Sequence, residues 1–480
     1  MSKHEQLAVV LQRQIVSGIR PAGARLPSIR KMAEQYSCSA ATVIRAYEQL
    51  IREHVVYVVD RSGYYVAAQH QTSPAIIEGE QVDIASAAPA AELFPFDDFQ
   101  GCLNQAMKLY RDQLFTYGTA QGLPALLHEV REQLERVQVF ARPSNLYITS
   151  GVQQALSILT MMPFPGGQQR IMIEQPGYHL LIELLESLHV PVVQIERTSC
   201  GLDMEQIEEW FQTGEIKFFY IMPRFHNPLG HSLAAVDKKK LVVLAERYDV
   251  YLVEDDYLAD LEQHTGIDPL YAYDRSDHVI YLKSYSKMLF PGLRIGAAVL
   301  PDRLTANFSR YKKLLDIDSS VLSQAALQMY IKNGMYARYR RLMLEAYRRR
   351  TKRLHATICE LAASDSLFTR VYHIDAMHAV LPLPDNFPMS ALLRRLQELN
   401  IVADSLDRYF MQDSPYRWNG LRINVSNVQE ERIAPTLQIV AAQVRRLIAI
   451  PASPHVSDAA NTANVKPISD AANTVNQGNE

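Results

Sequence analysis

Between about residues 83 and 450, the chain alternates helical stretches with short apolar runs, and this alternation constrains the fold most strongly. Each apolar run has the length of one buried strand rather than of a helix. Strands that alternate with helices pair side by side in a mostly parallel sheet, which the helices cover. The region is therefore predicted to be an α/β domain. The candidate strands are residues 170–173, 191–195, 218–222, 251–254, 279–282 and 297–300.

The first 68 residues have a different pattern. Three short helices are indicated by apolar periodicity, and Ser28 and Ser39 stand where they can cap the second and third. Two β runs follow, joined by a turn that contains Gly63. Three helices and a hairpin in this order predict a winged helix-turn-helix. The helices are predicted at residues 3–18, 29–36 and 40–53, and the β runs at 55–59 and 64–66.

Charge separates these two parts. The whole chain of 480 residues has a net charge of −3, so it has no general attraction to polyanions. Residues 1–70, in contrast, hold nine Lys or Arg and five Asp or Glu residues, a net charge of +4. A local positive field predicts a polyanionic partner for this segment alone.

Length and composition predict the remaining organisation. The chain is too long for one core, so we expect a head at 1–68, a linker at 69–82, a body at 83–450 and a disordered tail at 451–480. The four cysteines are far apart without a CxxC pair, so neither a metal site nor a disulfide framework is expected. No apolar run reaches the length of a signal core or a membrane span, which predicts a cytoplasmic protein with no membrane contact.

Lys287 is the strongest chemical signal in the body. It follows an apparent strand, with Ser284 three residues before it and Arg294 seven residues after it. An amine can form an imine with an aldehyde, and a hydroxyl with a guanidinium can bind a phosphate dianion. The set therefore predicts a phosphorylated aldehyde as ligand, namely the cofactor pyridoxal 5′-phosphate. The alternative is a loop lysine in solvent.

The head resembles the GntR family of bacterial transcription regulators, on residues 26–33, 39–50 and the wing at 62–66. The resemblance implies that the third helix lies in the major groove of double-stranded operator DNA. Its side chains Val43, Ala46, Tyr47 and Leu50 would then pack inward. The alternative is a solvated helix face in a protein–protein module. The candidate DNA-binding residues are Ser39, Thr42 and Arg45 at base edges, Arg30 at a phosphate and Arg61 at the wing tip.

The body resembles fold-type I pyridoxal-phosphate aminotransferases of the aspartate aminotransferase class. With the head attached, the chain is similar to the MocR subfamily of GntR regulators. The implied fold is a winged helix-turn-helix followed by a mostly parallel sheet flanked by helices, with a smaller C-terminal α+β part.

This resemblance implies roles for a set of cofactor-binding residues. Asp255 would pair with the pyridine nitrogen, Asn227 and Tyr257 would hydrogen-bond the phenolate oxygen, and Tyr178 would stack on the ring. The phosphate would be held by Ser150, Gly151 and Val152 at a helix start, together with Ser284 and Arg294.

Two further residues extend the implied site. Tyr117 would reach the phosphate of another subunit, which implies a homodimer, and Arg422 would bind the α-carboxylate of an amino compound. Each residue taken alone has a plain alternative as a core aromatic, a helix cap, a turn or a surface ion pair. Ala87 stands where family members tend to have a glycine, so whether transamination occurs stays open.

Three functions compete at this point. The first is a transcription regulator that senses pyridoxal phosphate, or an amino compound joined to it at Lys287. The second is a pyridoxal-phosphate-dependent aminotransferase with an accessory DNA-binding head. The third is a regulator that binds an effector without the cofactor. A run of eight Lys or Arg between Arg338 and Arg353 is either a solvated helix face or a DNA contact.

Overall fold

The computed structural model describes residues 3–16, 20, 23–52, 55–59, 63–66, 81–261, 267–371 and 376–449, and the chain divides into two compact units at residue 80. The predictions for Arg61, for linker residues 69–80 and for the tail at 451–480 lie outside the described residues.

The head contains the three helices and the hairpin expected from its sequence. The helices are α1 (Lys3–Val16), α2 (Ile29–Gln35) and α3 (Ala40–Arg52). The hairpin consists of the antiparallel strands β1 (Val56–Val59) and β2 (Gly63–Val66). The Ser28 hydroxyl accepts the Lys31 N–H at the start of α2, which is the predicted cap.

One apolar core holds the head together. The predicted inward face of α3 is confirmed, since Val43, Ala46, Tyr47 and Leu50 are each 0% exposed. The Tyr47 ring packs at 4.7 Å from that of Tyr64, and its hydroxyl donates a hydrogen bond of 2.8 Å to the carbonyl of Pro27. Tyr47 therefore ties α3 to the segment that precedes α2.

The body is built on an eight-stranded sheet. Its strand order is β4-β11-β10-β9-β8-β5-β6-β7. The five strands from β10 to β6 are parallel to one another. β11 pairs antiparallel with both β10 and β4, and β7 pairs antiparallel with β6, so the sheet is mostly parallel as predicted. The strands are β4 (Leu146–Thr149), β5 (Arg170–Gln175), β6 (Val192–Thr198), β7 (Gly201–Leu202), β8 (Ile216–Ile221), β9 (Tyr251–Asp255), β10 (Val279–Ser284) and β11 (Gly296–Val299).

Helices cover this sheet on both faces, because alternate side chains of a strand point to opposite sides. In β8, Phe218 and Tyr220 pack in one apolar cluster while Phe219 and Ile221 pack in another. The helices of the body are α4 (Phe96–Leu109), α5 (Pro124–Glu135), α6 (Val152–Met161), α7 (His179–Ser187), α8 (Met204–Gln212), α9 (Ala235–Tyr248), α10 (Asp302–Leu315), α11 (Val321–Lys332), α12 (Met335–Ser364), α13 (Met389–Glu398) and α14 (Glu430–Ile448).

A smaller α+β part completes the body. It has a three-stranded antiparallel sheet in the order β12-β15-β14, and a parallel pair of β13 with the N-terminal strand β3. These strands are β3 (Val82–Asp83), β12 (His378–Pro382), β13 (Ile401–Val402), β14 (Asp404–Ser405) and β15 (Gly420–Asn424). Among the described residues, no helix combines the length and apolar character needed to cross a membrane.

We expect Tyr47→Phe to destabilise the head by about 1 kcal/mol, because it removes a buried hydrogen bond and leaves the Pro27 carbonyl without this donor. Hydrogen exchange of the α3 amides in the full chain measures this loss. Tyr64→Phe is the matched control, since the Tyr64 hydroxyl makes no hydrogen bond with the described residues. Equal exchange rates in both variants would show that the Tyr47 hydroxyl does not stabilise α3.

Candidate functional site

A cavity of about 280 Å³ lies at the carboxyl ends of parallel strands of the body. Asp255 is the last residue of β9, Ser284 is the last residue of β10, and Met222 follows β8. Open α/β sheets bind their ligands at this edge. The cavity is lined by Ala85, Ser86, Ala87, Val152, Tyr178, His179, Leu180, Met222, Asn227, Asp255, Tyr257, Ser284, Lys287, Arg408, Tyr409 and Arg422.

Lys287 points its amine into this cavity without a fixed partner. Its side chain is partly exposed there, and it makes no hydrogen bond with the described residues. Burial and, to a smaller extent, the positive charge of Arg422 lower the pKa of Lys287 to about 8, while Asp255 opposes them. A lysine with a lowered pKa has a larger fraction of neutral amine near neutral pH, which is the form that attacks a carbonyl carbon.

Asp255 has one oxygen bound and one oxygen free. The Tyr220 hydroxyl donates to Oδ2 at 2.8 Å, whereas Oδ1 is buried and has no partner among the described residues. Burial raises the pKa of Asp255 to about 7, while the Tyr220 hydrogen bond acts in the opposite direction. A buried carboxylate oxygen without a donor is costly, so the site is suited to a ligand that brings an N–H group to Oδ1.

Arg294 lies over the start of α6, next to Gly151. Gly151 has a φ of 83°, and a Cβ built on it would lie 3.0 Å from Arg294 Nη2. The Arg294 Nη2 group donates to the Ser150 carbonyl and to Gln153 Oε1, both at 3.1 Å. No side chain caps the first turn of α6, so its N–H groups and an exposed guanidinium face the same place. This arrangement suits a phosphate.

Arg422 is anchored at two of its three nitrogens. Nη1 donates to the Ala85 carbonyl at 2.6 Å and Nε donates to Asn227 Oδ1 at 3.2 Å. The guanidinium lies 5.6 Å from the centre of the Tyr409 ring, and only 2% of Arg422 is exposed. Nη2 makes no hydrogen bond with the described residues, so it can bind an anionic group that enters the cavity.

A buried polar layer supports Asn227 from behind. Arg197 Nη1 donates to Glu174 Oε1 at 3.2 Å, and Arg197 Nε bonds to His231 at 3.0 Å. The carbonyl of His226 accepts hydrogen bonds from His378 and from the Gly230 N–H. This layer fixes the turn that carries Asn227 toward Arg422.

The structure brings most predicted cofactor residues together. Asn227, Asp255, Tyr257, Tyr178, Val152, Ser284, Lys287 and Arg422 line the cavity, and Gly151 and Arg294 lie beside it at the start of α6. Ser150 uses its hydroxyl on Asp316 and Ser319, while its carbonyl accepts from Arg294. The Tyr257 hydroxyl donates to the Phe225 carbonyl at 2.8 Å. Tyr117 does not line the cavity of its own chain and is 85% exposed.

Several residues that line the cavity or support it were not identified from the sequence. Tyr220 is hidden in β8, whose residues are all buried, so no alternation singles it out. Arg408 and Tyr409 lie in a short turn without a motif. His179 follows Tyr178, and burial lowers its pKa to about 4, so the ring is neutral at physiological pH. Its position beside a predicted ring contact is the one signal that could have found it.

The head presents a candidate DNA interface on α3. Ser39 and Arg45 are exposed, and Arg45 has no partner among the described residues. The Ser39 hydroxyl accepts the Thr42 N–H at 3.2 Å and lies 2.9 Å from the Thr42 hydroxyl, so both hydroxyls also serve the helix start. Arg30 is 92% exposed and forms only a loose ion pair with Glu34 at 3.4 Å. Among the described residues there is no cluster suited to a metal ion.

Comparison with known proteins matches both parts of the chain. The family described as aminotransferase class I and II matches residues 94–440, and the family of bacterial regulatory proteins, gntR family, matches residues 3–66. The uncharacterized HTH-type transcriptional regulator YcxD of Bacillus subtilis is 48% identical, over 92% of this chain and 100% of its own length. The probable rhizopine catabolism regulatory protein MocR of Rhizobium meliloti is 28% identical, over 86% of this chain and 88% of its own.

Solved structures show the fold of the body. Pyrococcus horikoshii kynurenine aminotransferase, in complex with PMP, is 24% identical with a TM-score of 0.68, over 77% of this chain and 91% of its own. The α-aminoadipate aminotransferase LysN of Thermus thermophilus, complexed with N-(5′-phosphopyridoxyl)-L-leucine, is 23% identical with a TM-score of 0.69, over 77% of this chain and 93% of its own. The predicted fold-type I body and GntR-type head are thereby confirmed.

We expect acylation of Lys287 to rise with pH around a midpoint of about 8, because burial and Arg422 disfavour its charged form. Arg422→Gln removes a positive charge, so the midpoint should rise. Asp255→Asn removes a negative charge, so the midpoint should fall. Mass spectrometry of the peptide that contains Lys287, after brief labelling at several pH values, measures the midpoint in the parent and in both variants. Shifts of equal sign in the two variants would contradict this electrostatic account.

Proposed function

The chain belongs to the MocR subfamily of GntR-family transcription regulators, and from this we propose that it controls transcription by binding pyridoxal 5′-phosphate, or an amino compound joined to it, at Lys287. One observation supports the cofactor most directly. The cavity holds a lysine amine, a buried carboxylate oxygen and an arginine nitrogen that have no hydrogen-bond partner among the described residues. These three unpaired groups fit the aldehyde, the pyridine nitrogen and an amino acid's carboxylate.

Each part of the cofactor has candidate partners on this chain. Lys287 would provide the covalent attachment, Asp255 Oδ1 the acceptor for the ring nitrogen, and the Asn227 amide N–H a donor to the phenolate oxygen. The Tyr257 hydroxyl would donate to the same oxygen by leaving the Phe225 carbonyl. The phosphate is assigned to the start of α6 with Ser284 and Arg294. When bound, the cofactor supplies an electron-withdrawing ring whose strength depends on a protonated pyridine nitrogen.

The protein's residues then decide which amino compounds are held. Arg422 directs Nη2 toward an incoming carboxylate, while its other nitrogens stay fixed on Ala85 and Asn227. Whenever Lys287 carries no covalent bond, its lowered pKa would allow the amine to accept or return a proton near neutral pH. The neutral ring of His179 adds no charge to the cavity.

The head is proposed to bind double-stranded operator DNA through α3. Arg45 is exposed there and has no partner in the part of the chain that the structure describes, and Arg30 is almost fully exposed at the start of α2. A helix that presents its N-terminal residues to base edges, with cations beside it for phosphates, is the arrangement of helix-turn-helix regulators.

A homodimer is proposed for the body, because large apolar side chains lie exposed on α4, the turn after it and the end of α10. Exposed apolar surface of this kind marks protein contacts. In a symmetric dimer, Tyr117 of one chain would serve the phosphate site of the other. The side chains are Phe96, Leu109, Phe115, Tyr117 and Leu314, which are 62%, 69%, 86%, 85% and 72% exposed.

The second candidate is an aminotransferase with an accessory head. It is favoured by the same cavity, since Lys287, Asp255 and Arg422 are also what transamination needs. Ala87 lines this cavity where the family tends to have a glycine, so its methyl group narrows the space for substrate. Steady conversion of amino acids without any effect of ligand on DNA binding would favour this candidate.

The regulator hypothesis predicts a reciprocal coupling. Pyridoxal phosphate or an amino acid joined to it should change operator affinity by roughly 5–150-fold, and operator DNA should change ligand affinity by the same factor. Fluorescence anisotropy with a duplex selected from a random pool measures the first, and absorbance titration of the cofactor measures the second.

Lys287→Ala should remove this coupling while leaving DNA binding intact, because the head does not contain the lysine. Lys240→Ala is the matched control, since Lys240 is an exposed lysine on α9 that does not line the cavity. If ligand leaves DNA affinity unchanged in the parent as well, the body is not a sensor.

The dimer proposal predicts complementation between two defective chains. Tyr117→Ala and Lys287→Ala homodimers should each bind the cofactor weakly or without covalent attachment. A mixed dimer contains one site with both native residues, so mixing should restore up to about one site in four at equal subunit exchange. Absorbance of the bound cofactor after mixing measures this. A protein that stays monomeric at micromolar concentration would contradict the proposal.

A further inference from the structure

We propose that one side of α12 is a second DNA-binding surface, which contacts phosphates of the bound duplex outside the segment read by the winged helix. This basic face consists of Arg341, Arg348 and Lys352, and the inference rests on the proposed DNA binding by the head. It assigns a function to the arginine-rich run of the sequence, which the cofactor site does not use.

The spacing of the basic face places its three cations on one side of the helix. Successive intervals of seven and four residues are close to whole helical turns, so the side chains differ in direction by only about 20–40°. Their Cα atoms spread over about 16 Å along the axis. Arg341, Arg348 and Lys352 are all exposed.

Most other cations in the run already have partners. Arg338 pairs with Asp98, Arg340 donates to the Asp260 carbonyl at 2.8 Å, and Arg350 is buried against Glu92 and the Ser426 carbonyl. In contrast, the three residues of the basic face make no ion pair or hydrogen bond with the described residues. Their charges therefore remain available to an external partner.

Acidic residues do not neutralise the basic face. Glu345 lies on the same side of α12, but its Oε1 forms an ion pair with Arg349 Nη1 at 3.0 Å. Arg349 Nε also pairs with Glu430 at 3.2 Å. The next exposed acid along the helix is Glu360, about 12 Å beyond Lys352 by helical rise. A face that served solubility alone would carry interspersed charges of both signs.

The helix that carries these cations is held rigidly. Its opposite side packs into the body through Tyr336, Met343, Tyr347 and Leu354, and it runs over 30 residues. The basic face is therefore a fixed row of positive charge rather than a set of mobile side chains on a loop.

Duplex DNA fits this row. Each strand carries a phosphate every 3.4 Å or so along the axis, so the basic face is as long as about five phosphates. Such contacts add affinity without reading sequence. The positively charged winged helix of the same chain would already hold a duplex, which favours DNA over an acidic protein as the partner.

The test compares two triple variants of the full chain. One carries Arg341→Gln, Arg348→Gln and Lys352→Gln. The control carries Lys240→Gln, Arg275→Gln and Arg394→Gln, which removes three cations that are also exposed, lie in other parts of the body and have no partner among the described residues. Anisotropy measures binding of each to the selected duplex, prepared at about two and about six helical turns in length, over a series of salt concentrations.

We expect the basic-face variant to match the parent on the short duplex and to bind the long duplex about tenfold more weakly near 0.1 M salt. Its salt slope on the long duplex should fall by about 0.9 for each phosphate that the variant no longer neutralises. The control variant should match the parent on both duplexes.

Parent-like affinity and salt slope of the basic-face variant on the long duplex would overturn the inference, and so would an equal loss of affinity in the control variant. If polyglutamate displaced the labelled long duplex from the parent as effectively as unlabelled duplex does, the inference would also be overturned, in favour of an acidic protein partner. A failure of the proposed function looks different, since Arg45→Ala would then leave binding to the short duplex unchanged.

Discussion

The parallel alignment of β8, β9 and β10 is the constraint on which the candidate site depends. Parallel strands end at the same edge, so Met222, Asp255 and Ser284 are brought together although they lie far apart in sequence. The loop after β10 then places Lys287 opposite Asp255. Because all three strands are buried, the edge has a low dielectric environment, in which each charge acts strongly on its neighbours.

The electrostatic balance within the cavity follows from this burial. Lys287 lies between Arg422, which disfavours its charge, and Asp255, which favours it. Asp255 is itself held by Tyr220 at one oxygen, so its other oxygen keeps a defined direction. The cavity thus holds the Asp255 carboxylate and the Arg422 guanidinium in fixed positions beside the Lys287 side chain, and such preorganisation reduces the free energy that ordering costs on binding.

The candidate binding groups of the body are enclosed in a cavity, whereas those of the head are exposed to solvent. This difference suits a sensor that acts on DNA. The body keeps its reactive groups inside a cavity, whereas the head exposes Arg30 and Arg45. A ligand that binds one conformation of the body better than another can change DNA affinity only through a free-energy difference between those conformations. The basic face of α12 would give the body its own contact with the duplex. A change in the conformation of the body could then alter DNA affinity directly through this contact.

The sequence by itself determined the winged helix and the mostly parallel sheet, because these depend on local periodicity. Short motifs and the family resemblance that they carry identified half of the cavity-lining residues. Lys287, Asp255, Asn227 and Arg422 each stand in a recognisable segment, so their convergence could be predicted. Only the tertiary structure decided which atoms are unpaired. The free oxygen of Asp255, the anchoring of Arg422 on Ala85 and the unpaired cations of α12 result from contacts between segments distant in sequence. Tyr220 and Tyr409 entered the site in the same way, since burial and packing, rather than any motif, place them there.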